Sequence, residues 1–120
     1  MLFRSGYIWP SVDYPWFDAW RHVADGKPFA RGLEFGTTGL HQPGPVLVEK
    51  GKIFDRHLFR FIDAKETQTF SYANFLMEIP KDFNGVERVA YDGNEIVVSE
   101  RGGKGRSLKM QVGALFAAAE

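Results

Sequence analysis

The segment from Arg31 to Leu40 contains the residues whose types and spacing are best suited to chemistry. It places a carboxylate, Glu34, on a predicted strand that runs into a turn rich in glycine and threonine. Because side chains alternate between the two faces of a strand, Glu34 is expected to point away from Leu33 and Phe35. A carboxylate followed by small hydroxyl residues favours an open surface that a ligand can reach. The same pattern also fits a solvated carboxylate, or one paired with Arg31.

Histidines supply a second kind of candidate chemistry. His22, His41 and His57 could form a metal site with Glu34, because imidazole and carboxylate groups are ordinary ligands of zinc, iron and manganese. Their spacing matches no ligand motif, so no metal ligand is assigned, although His41 follows the Glu34 turn closely. The chain contains neither a phosphate-binding loop nor a nucleophile elbow. No cofactor is predicted.

The composition limits the class of protein. The chain has 120 residues, of which 44% are apolar and 15% aromatic, and this favours one globular domain over residues 1–120. Basic and acidic residues number 15 each, so nucleic acid is not an expected partner. The absence of cysteine excludes disulfides and thiolate chemistry. No segment approaches the ~20 apolar residues that span a bilayer, so no membrane partner is expected and a cytoplasmic location is the default.

The elements that must position Glu34 follow from short apolar patterns between turn signals. Short strands are predicted at Phe3 to Trp9, around Glu34, at Val46 to Val48, at Phe54 to Ile62 and at Thr67 to Ile79. The last of these has apolar residues on both faces, which indicates a central strand covered on each side. Val12 to Phe29 is predicted to be a loop with a short helix or helical turn, because its aromatic residues recur at roughly helical intervals.

The C-terminal third has clearer signals. Val86 to Tyr91 and Glu95 to Glu100 flank Asp92-Gly93-Asn94, a turn whose residues tolerate positive φ, so the two segments are expected to pair as a hairpin. A glycine-rich turn then leads to a strand at Ser107 to Val112, which completes a three-stranded antiparallel meander. Ala114 to Ala119 is expected to be a frayed helical turn or a truncated end.

Seven or eight short strands with little helix predict an all-β protein, an antiparallel β-sandwich or a barrel. A jelly roll or cupin-like barrel would share this strand number. We adopt the antiparallel β-sandwich as the predicted fold.

Two stretches together resemble the C-terminal half of galactose-mutarotase-like proteins, the aldose 1-epimerase superfamily. These are Arg31 to Leu40, and the segment from Ala64-Lys65-Glu66-Thr67 through Tyr72 to Pro80. In that family a Glu-bearing strand with a Gly, Thr or Pro loop precedes a turn of the type Leu-x-Pro-Gly-Glu. Here Ala64-Lys65-Glu66-Thr67 stands at that turn without its Pro and Gly. The likeness covers residues 7 to 113.

The resemblance implies half of a β-supersandwich that binds sugars on a concave sheet. By matching, Glu34 would be the general base that takes the proton of the anomeric hydroxyl. The expected saccharide-contacting residues around Glu34 are Arg31, Thr37, Thr38, His41 and Trp16. Exposed rings such as Trp16 can stack on a sugar face, although aromatic residues more often pack in a core or an interface.

The family's acid His lies well before the Glu strand, in a longer N-terminal half, whereas 33 residues precede Glu34 here. His22 lies in that segment but in no recognisable version of the His motif. The chain is therefore expected to be either a fragment or a short protein that completes its sheet by forming a homodimer. Three functions stay open, namely a carbohydrate-binding domain in which catalysis is doubtful, a homodimeric interaction domain, and a small metal-dependent cupin-like enzyme.

Overall fold

The computed structural model describes residues 2–116, and these residues form an antiparallel β structure with one short helix. The elements in chain order are β1 Leu2–Ile8, β2 Trp16–Ala24, β3 Lys27–Gly36, α1 Gly44–Lys50, β4 Lys52–Ile53, β5 Arg56–His57, β6 Ala73–Ile79, β7 Val86–Tyr91, β8 Glu95–Glu100 and β9 Ser107–Gln111. Every strand pair is antiparallel, so the predicted all-β class with little helix is confirmed. The helical turn or truncated end expected at Ala114 to Ala119 lies mostly outside the described residues.

The contacts of the chain separate two compact units. We call residues 2–8 and 72–116 the meander unit, and residues 9–71 the hairpin unit. The single domain expected over residues 1–120 stays a prediction.

The meander unit contains the three C-terminal strands in the order β7-β8-β9, as predicted. The turn between β7 and β8 is fixed by Asp92, whose carboxylate accepts hydrogen bonds from the backbone N–H groups of Asn94 at 2.9 Å and Glu95 at 2.8 Å. Gly93 has a φ of 100° at this turn, a conformation that glycine adopts without a steric penalty. The predicted hairpin is thereby confirmed, together with the residues that close it.

The second sheet of the meander unit is a two-stranded ribbon in which β1 pairs with β6. The strand predicted at Thr67 to Ile79 begins only at Ala73, and its exposure alternates along the strand. Leu76 is 61% exposed while Met77 and Ile79 are each 4% exposed. The expectation of a central strand covered on both faces is therefore wrong, because within residues 2–116 β6 pairs with β1 alone and has one buried face.

The hydrophobic core of the meander unit lies between its two sheets. Met77 and Ile79 of β6 contact Phe83 and the β8 residues Ile96 and Val98, all of them buried. Side chains from two sheets thus share one core, which is the arrangement of a sandwich.

A buried carboxylate ties the end of β8 to the loop after β6. Glu100 is 5% exposed, and its oxygens accept hydrogen bonds from the guanidinium of Arg106 at 2.8 and 2.9 Å and from the backbone N–H of Asn84 at 2.8 Å. The Arg106 guanidinium, followed by the Asn84 N–H, lowers the pKa of Glu100 to about 2. Arg106 also donates to Asp82 at 2.8 Å and holds the pKa of that carboxyl well below its usual range.

The hairpin unit is built on the ribbon of β2 and β3. These strands pair from Trp16 opposite Gly36 to Ala24 opposite Lys27, around a turn at Asp25 and Gly26. Both turn residues have positive φ, 51° and 73°, which suits the right-handed twist of a two-residue hairpin. The loop with a short helix predicted at Val12 to Phe29 is therefore wrong over most of its length, because the alternation and the Asp-Gly turn favour a strand.

Two other predicted strands of the hairpin unit differ from the structure. The segment Val46 to Val48 lies within α1, where a proline occupies the first turn and Leu47 is the buried residue. The strand predicted at Phe54 to Ile62 is reduced to β5, because Phe54 and Asp55 form a turn with φ of 50° and 61°. Short apolar segments of this kind do not distinguish a strand from a helix or a turn.

Candidate functional site

The register of the β2–β3 ribbon places chemically useful side chains on one face. Asp18 lies opposite Glu34, and Trp20 lies opposite Gly32. The Trp20 indole lies across Gly32, where a β-carbon would overlap the ring, and its Nε1–H donates to Glu34 Oε1 at 2.6 Å. Trp20 and Glu34 therefore share this face with Asp18, the alternation that the sequence predicts for Glu34.

Aromatic rings hold the opposite face of the ribbon. Phe35 stacks on Trp9 with ring centroids 4.3 Å apart, and it meets Tyr14 edge to face at 5.2 Å. Phe17 also stacks on Trp9 at 6.1 Å, and the Trp9 indole N–H donates to the Tyr14 carbonyl at 3.0 Å. This aromatic cluster anchors the ribbon from the side away from Glu34.

The loop after Glu34 is joined to the segment around β5 by one backbone hydrogen bond and by the Trp16 indole of β2. The Gly39 N–H donates to the Leu58 carbonyl at 3.1 Å, and the Trp16 indole N–H donates to the His57 carbonyl at 2.7 Å. The Trp16 ring lies directly on Gly39 and buries it, and this close approach is possible because glycine has no side chain. The loop that carries the two threonines is thus held by one backbone hydrogen bond and by the Trp16 ring.

A cavity of about 310 Å³ opens between this loop and the ribbon. Its polar lining comes from Asp18, Glu34, Thr37, Thr38 and His41. His41 Nε2 lies 3.7 Å from Glu34 Oε2, with the two side chains 79% and 52% exposed. The Glu34 carboxylate therefore has one oxygen bonded to Trp20 and the other beside His41.

The structure brings four of the predicted site residues together, namely Glu34, Thr37, Thr38 and His41. The other two lie elsewhere. Arg31 pairs across the ribbon with Arg21. It is three residues from Glu34 on the same strand, so its side chain lies on the opposite face. Trp16 supports the loop through Gly39 and His57 and does not line the cavity.

Asp18 and Trp20 are not among the site residues that the sequence predicts. Both lie in the segment predicted to be a loop with a helical turn, which gives no reason to place either residue beside Glu34. The signal that could have found them is the Asp25-Gly26 dipeptide, which predicts a hairpin when alternating residues flank it. Folding the sequence about that turn aligns Trp20 and Asp18 with Glu34.

Residues 2–116 contain no group of three His, Asp or Glu side chains close enough together to hold a metal ion, so a cupin-like ligand set is absent from this part of the chain. No helix in the same residues has the length and apolar character needed to cross a membrane.

Comparisons of the chain with protein-family models, with curated proteins and with solved structures found no match.

Proposed function

We propose that the hairpin unit binds a saccharide in the cavity beside Glu34. The observation that carries this proposal is the lining of the cavity. Two carboxylate residues, two threonines and a histidine surround a volume of about 310 Å³. Sugar hydroxyls donate and accept hydrogen bonds, so a mixed set of carboxylate acceptors and hydroxyl groups matches them. Ligand sites in proteins have volumes of roughly 300 to 1,000 Å³, and a cavity at the lower end suits one small ring.

Trp20 supports the proposal because it prepares Glu34 for a ligand. Its 2.6 Å hydrogen bond to Oε1 fixes the carboxylate, so less side-chain entropy is lost when a hydroxyl binds to Oε2.

Calorimetric titration with galactose and glucose tests this proposal on the whole chain. We expect Glu34→Gln and Asp18→Asn to weaken binding by about tenfold or more, since hydrogen bonds to charged groups contribute about 1.5–3 kcal/mol. The matched control is Glu49→Gln, an exposed carboxylate on α1 that does not line the cavity. Unchanged affinity in both Glu34→Gln and Asp18→Asn would overturn the proposal, as would an equal loss in Glu49→Gln.

One distance favours a second candidate, the interconversion of sugar anomers. A base and an acid acting on the anomeric hydroxyl and the ring oxygen must lie close together, because both oxygens are bonded to the same carbon. Glu34 and His41 meet this requirement at 3.7 Å. Polarimetry of freshly dissolved glucose or galactose tests it. Acceleration that disappears in Glu34→Gln is expected, and a rate equal to that of buffer removes the candidate.

If the chain binds no sugar of a full glycan panel, the homodimeric interaction domain is favoured instead. Large apolar side chains of the hairpin unit are exposed, among them Phe54 at 89% and Leu33 at 72%. Apolar surface of this kind favours association between copies. Sedimentation velocity that gives only a monomer of 13.6 kDa would exclude this alternative.

A further inference from the structure

A second cavity, of about 270 Å³, adjoins the Glu34 cavity, and Thr37 lines both. We call the first the acidic cavity and the second the basic cavity. The basic cavity is lined by Arg56, His57 and Arg60, with Asp55 as its one carboxylate. A single ligand that passes Thr37 would therefore contact two pockets of opposite character.

The charges of the two cavities are complementary to different parts of one ligand. Asp18 and Glu34 give the acidic cavity a pair of hydrogen-bond acceptors that suits hydroxyl groups and repels anions. Arg56 and Arg60 outnumber Asp55 in the basic cavity, which therefore favours an anionic group. Guanidinium groups are well matched to carboxylate and phosphate because their N–H groups form a planar fork.

The two arginines are held by local structure. The guanidinium of Arg60 lies 5.2 Å from the centroid of the Phe70 ring, a contact that orients the side chain. Arg56 follows the two-residue turn at Phe54 and Asp55, whose φ values of 50° and 61° suit the tight hairpin that joins β4 to β5.

The relative position of the two cavities is also fixed. Trp16 at the start of β2 donates to the His57 carbonyl at 2.7 Å and covers Gly39 of the loop that lines the acidic cavity. The Gly39 N–H is in turn bonded to the Leu58 carbonyl at 3.1 Å. These contacts join the segment that carries His57 to the loop that carries Thr37.

We propose that the two cavities together bind an anionic sugar, a hexose that carries a carboxylate or a phosphate. Its ring hydroxyls would contact Asp18 and Glu34, and its anionic group would contact Arg56 and Arg60. The inference rests on the proposed saccharide function and adds the charge of the ligand. It also assigns a role to the basic cavity, which the Glu34 site does not use.

Calorimetric titration of the whole chain with galactose, galacturonic acid and galactose 6-phosphate tests this inference. At least one of the anionic sugars should bind about tenfold more tightly than galactose, the combined effect of two partly exposed charge pairs. The pair of anionic sugars distinguishes a carboxylate-binding from a phosphate-binding pocket. The preference should weaken as salt is added, because these charges are exposed to solvent.

Variants separate the two cavities. Arg56→Gln with Arg60→Gln should reduce the affinity for the anionic sugar to that for galactose and leave galactose binding unchanged. Arg88→Gln, which removes an exposed arginine of the meander unit, is the charge-matched control and should change neither affinity.

Each contrary result points to a different error. Equal binding of galactose and both anionic sugars overturns the inference and leaves the saccharide proposal intact. Binding of an anionic sugar that is lost in the double arginine variant but unaffected by Glu34→Gln and Asp18→Asn shows a separate anion site and overturns the joint one. Failure of all three sugars to bind rejects both proposals.

Discussion

Leu58 is the residue whose truncation should most damage the framework of the candidate site. It is fully buried, with 0% of its surface exposed. Its backbone N–H donates to the Gly51 carbonyl at 3.0 Å, and its carbonyl accepts the Gly39 N–H at 3.1 Å. Its side chain therefore anchors the backbone to which the loop between Glu34 and His41 is attached. We predict that Leu58→Ala destabilises the hairpin unit.

The magnitude follows from the burial of Leu58. Leu→Ala removes three carbons, each worth about 0.8 kcal/mol when buried, which gives roughly 2.4 kcal/mol from transfer alone. The cavity left behind adds to this, and measured substitutions of fully buried leucines cost about 2.7–5.0 kcal/mol. We therefore expect a loss of about 3 kcal/mol in the free energy of unfolding. For a unit of this size this corresponds to a fall in Tm of roughly 12–24 °C.

Tryptophan fluorescence during thermal unfolding measures this effect selectively. All three tryptophans, Trp9, Trp16 and Trp20, lie in the hairpin unit, so their emission reports on that unit. The control is Leu33→Ala, since Leu33 is 72% exposed and its loss should cost less than about 0.5 kcal/mol. If Leu58→Ala and Leu33→Ala lower Tm by the same small amount, the reasoning from burial is refuted.

Two further predictions concern the meander unit. The pKa of Glu100 falls from 4.5 to about 2 on folding, so its contribution is present above pH 4.5 and is lost as pH falls towards 2. Urea unfolding between pH 5 and pH 2, a range set by this pKa, should show the free energy of unfolding falling with pH. In Glu100→Gln the free energy of unfolding should depend less steeply on pH. A β-carbon on Gly6 would overlap the ring of its partner Phe75, so Gly6→Ala should cost about 1–3 kcal/mol by overpacking. Gly44→Ala is the control, because a β-carbon at Gly44 would meet no other atom within 4 Å. Equal urea midpoints of unfolding for the two alanine variants would contradict this account.

The parts of the fold that the sequence predicted are those in which local signals agree. The turn at Asp92, Gly93 and Asn94 combines a side chain that caps two backbone N–H groups with a glycine at positive φ, and alternating residues flank it. Each signal alone favours a hairpin, and together they set its register. The turn at Asp25 and Gly26 has the same chemistry. Trp16, Phe17 and Trp20 also fit a helical spacing, and this competing signal points away from the hairpin.

The part of the candidate site that the sequence predicts is the part formed by one strand and the turn that follows it. Glu34, Thr37, Thr38 and His41 are close in sequence, so their convergence needs only a bend of the chain. Asp18 reaches the same cavity across a strand pair, and a partner of this kind can be found only when the register is known. Non-local residues are the part of a site that local patterns cannot supply.

The two tryptophans of the ribbon show why an aromatic residue near a site cannot be assigned to a ligand from its type alone. The Trp16 ring covers Gly39, and its indole N–H donates to the His57 carbonyl. The ring and the N–H group therefore both stabilise the fold. Trp20 covers Gly32 in the same manner, but its N–H is bonded to the Glu34 carboxylate. Each indole occupies the space that a β-carbon would need. Gly32 is therefore required for the orientation of Glu34, because a side chain at that position would displace the ring that holds the carboxylate in place.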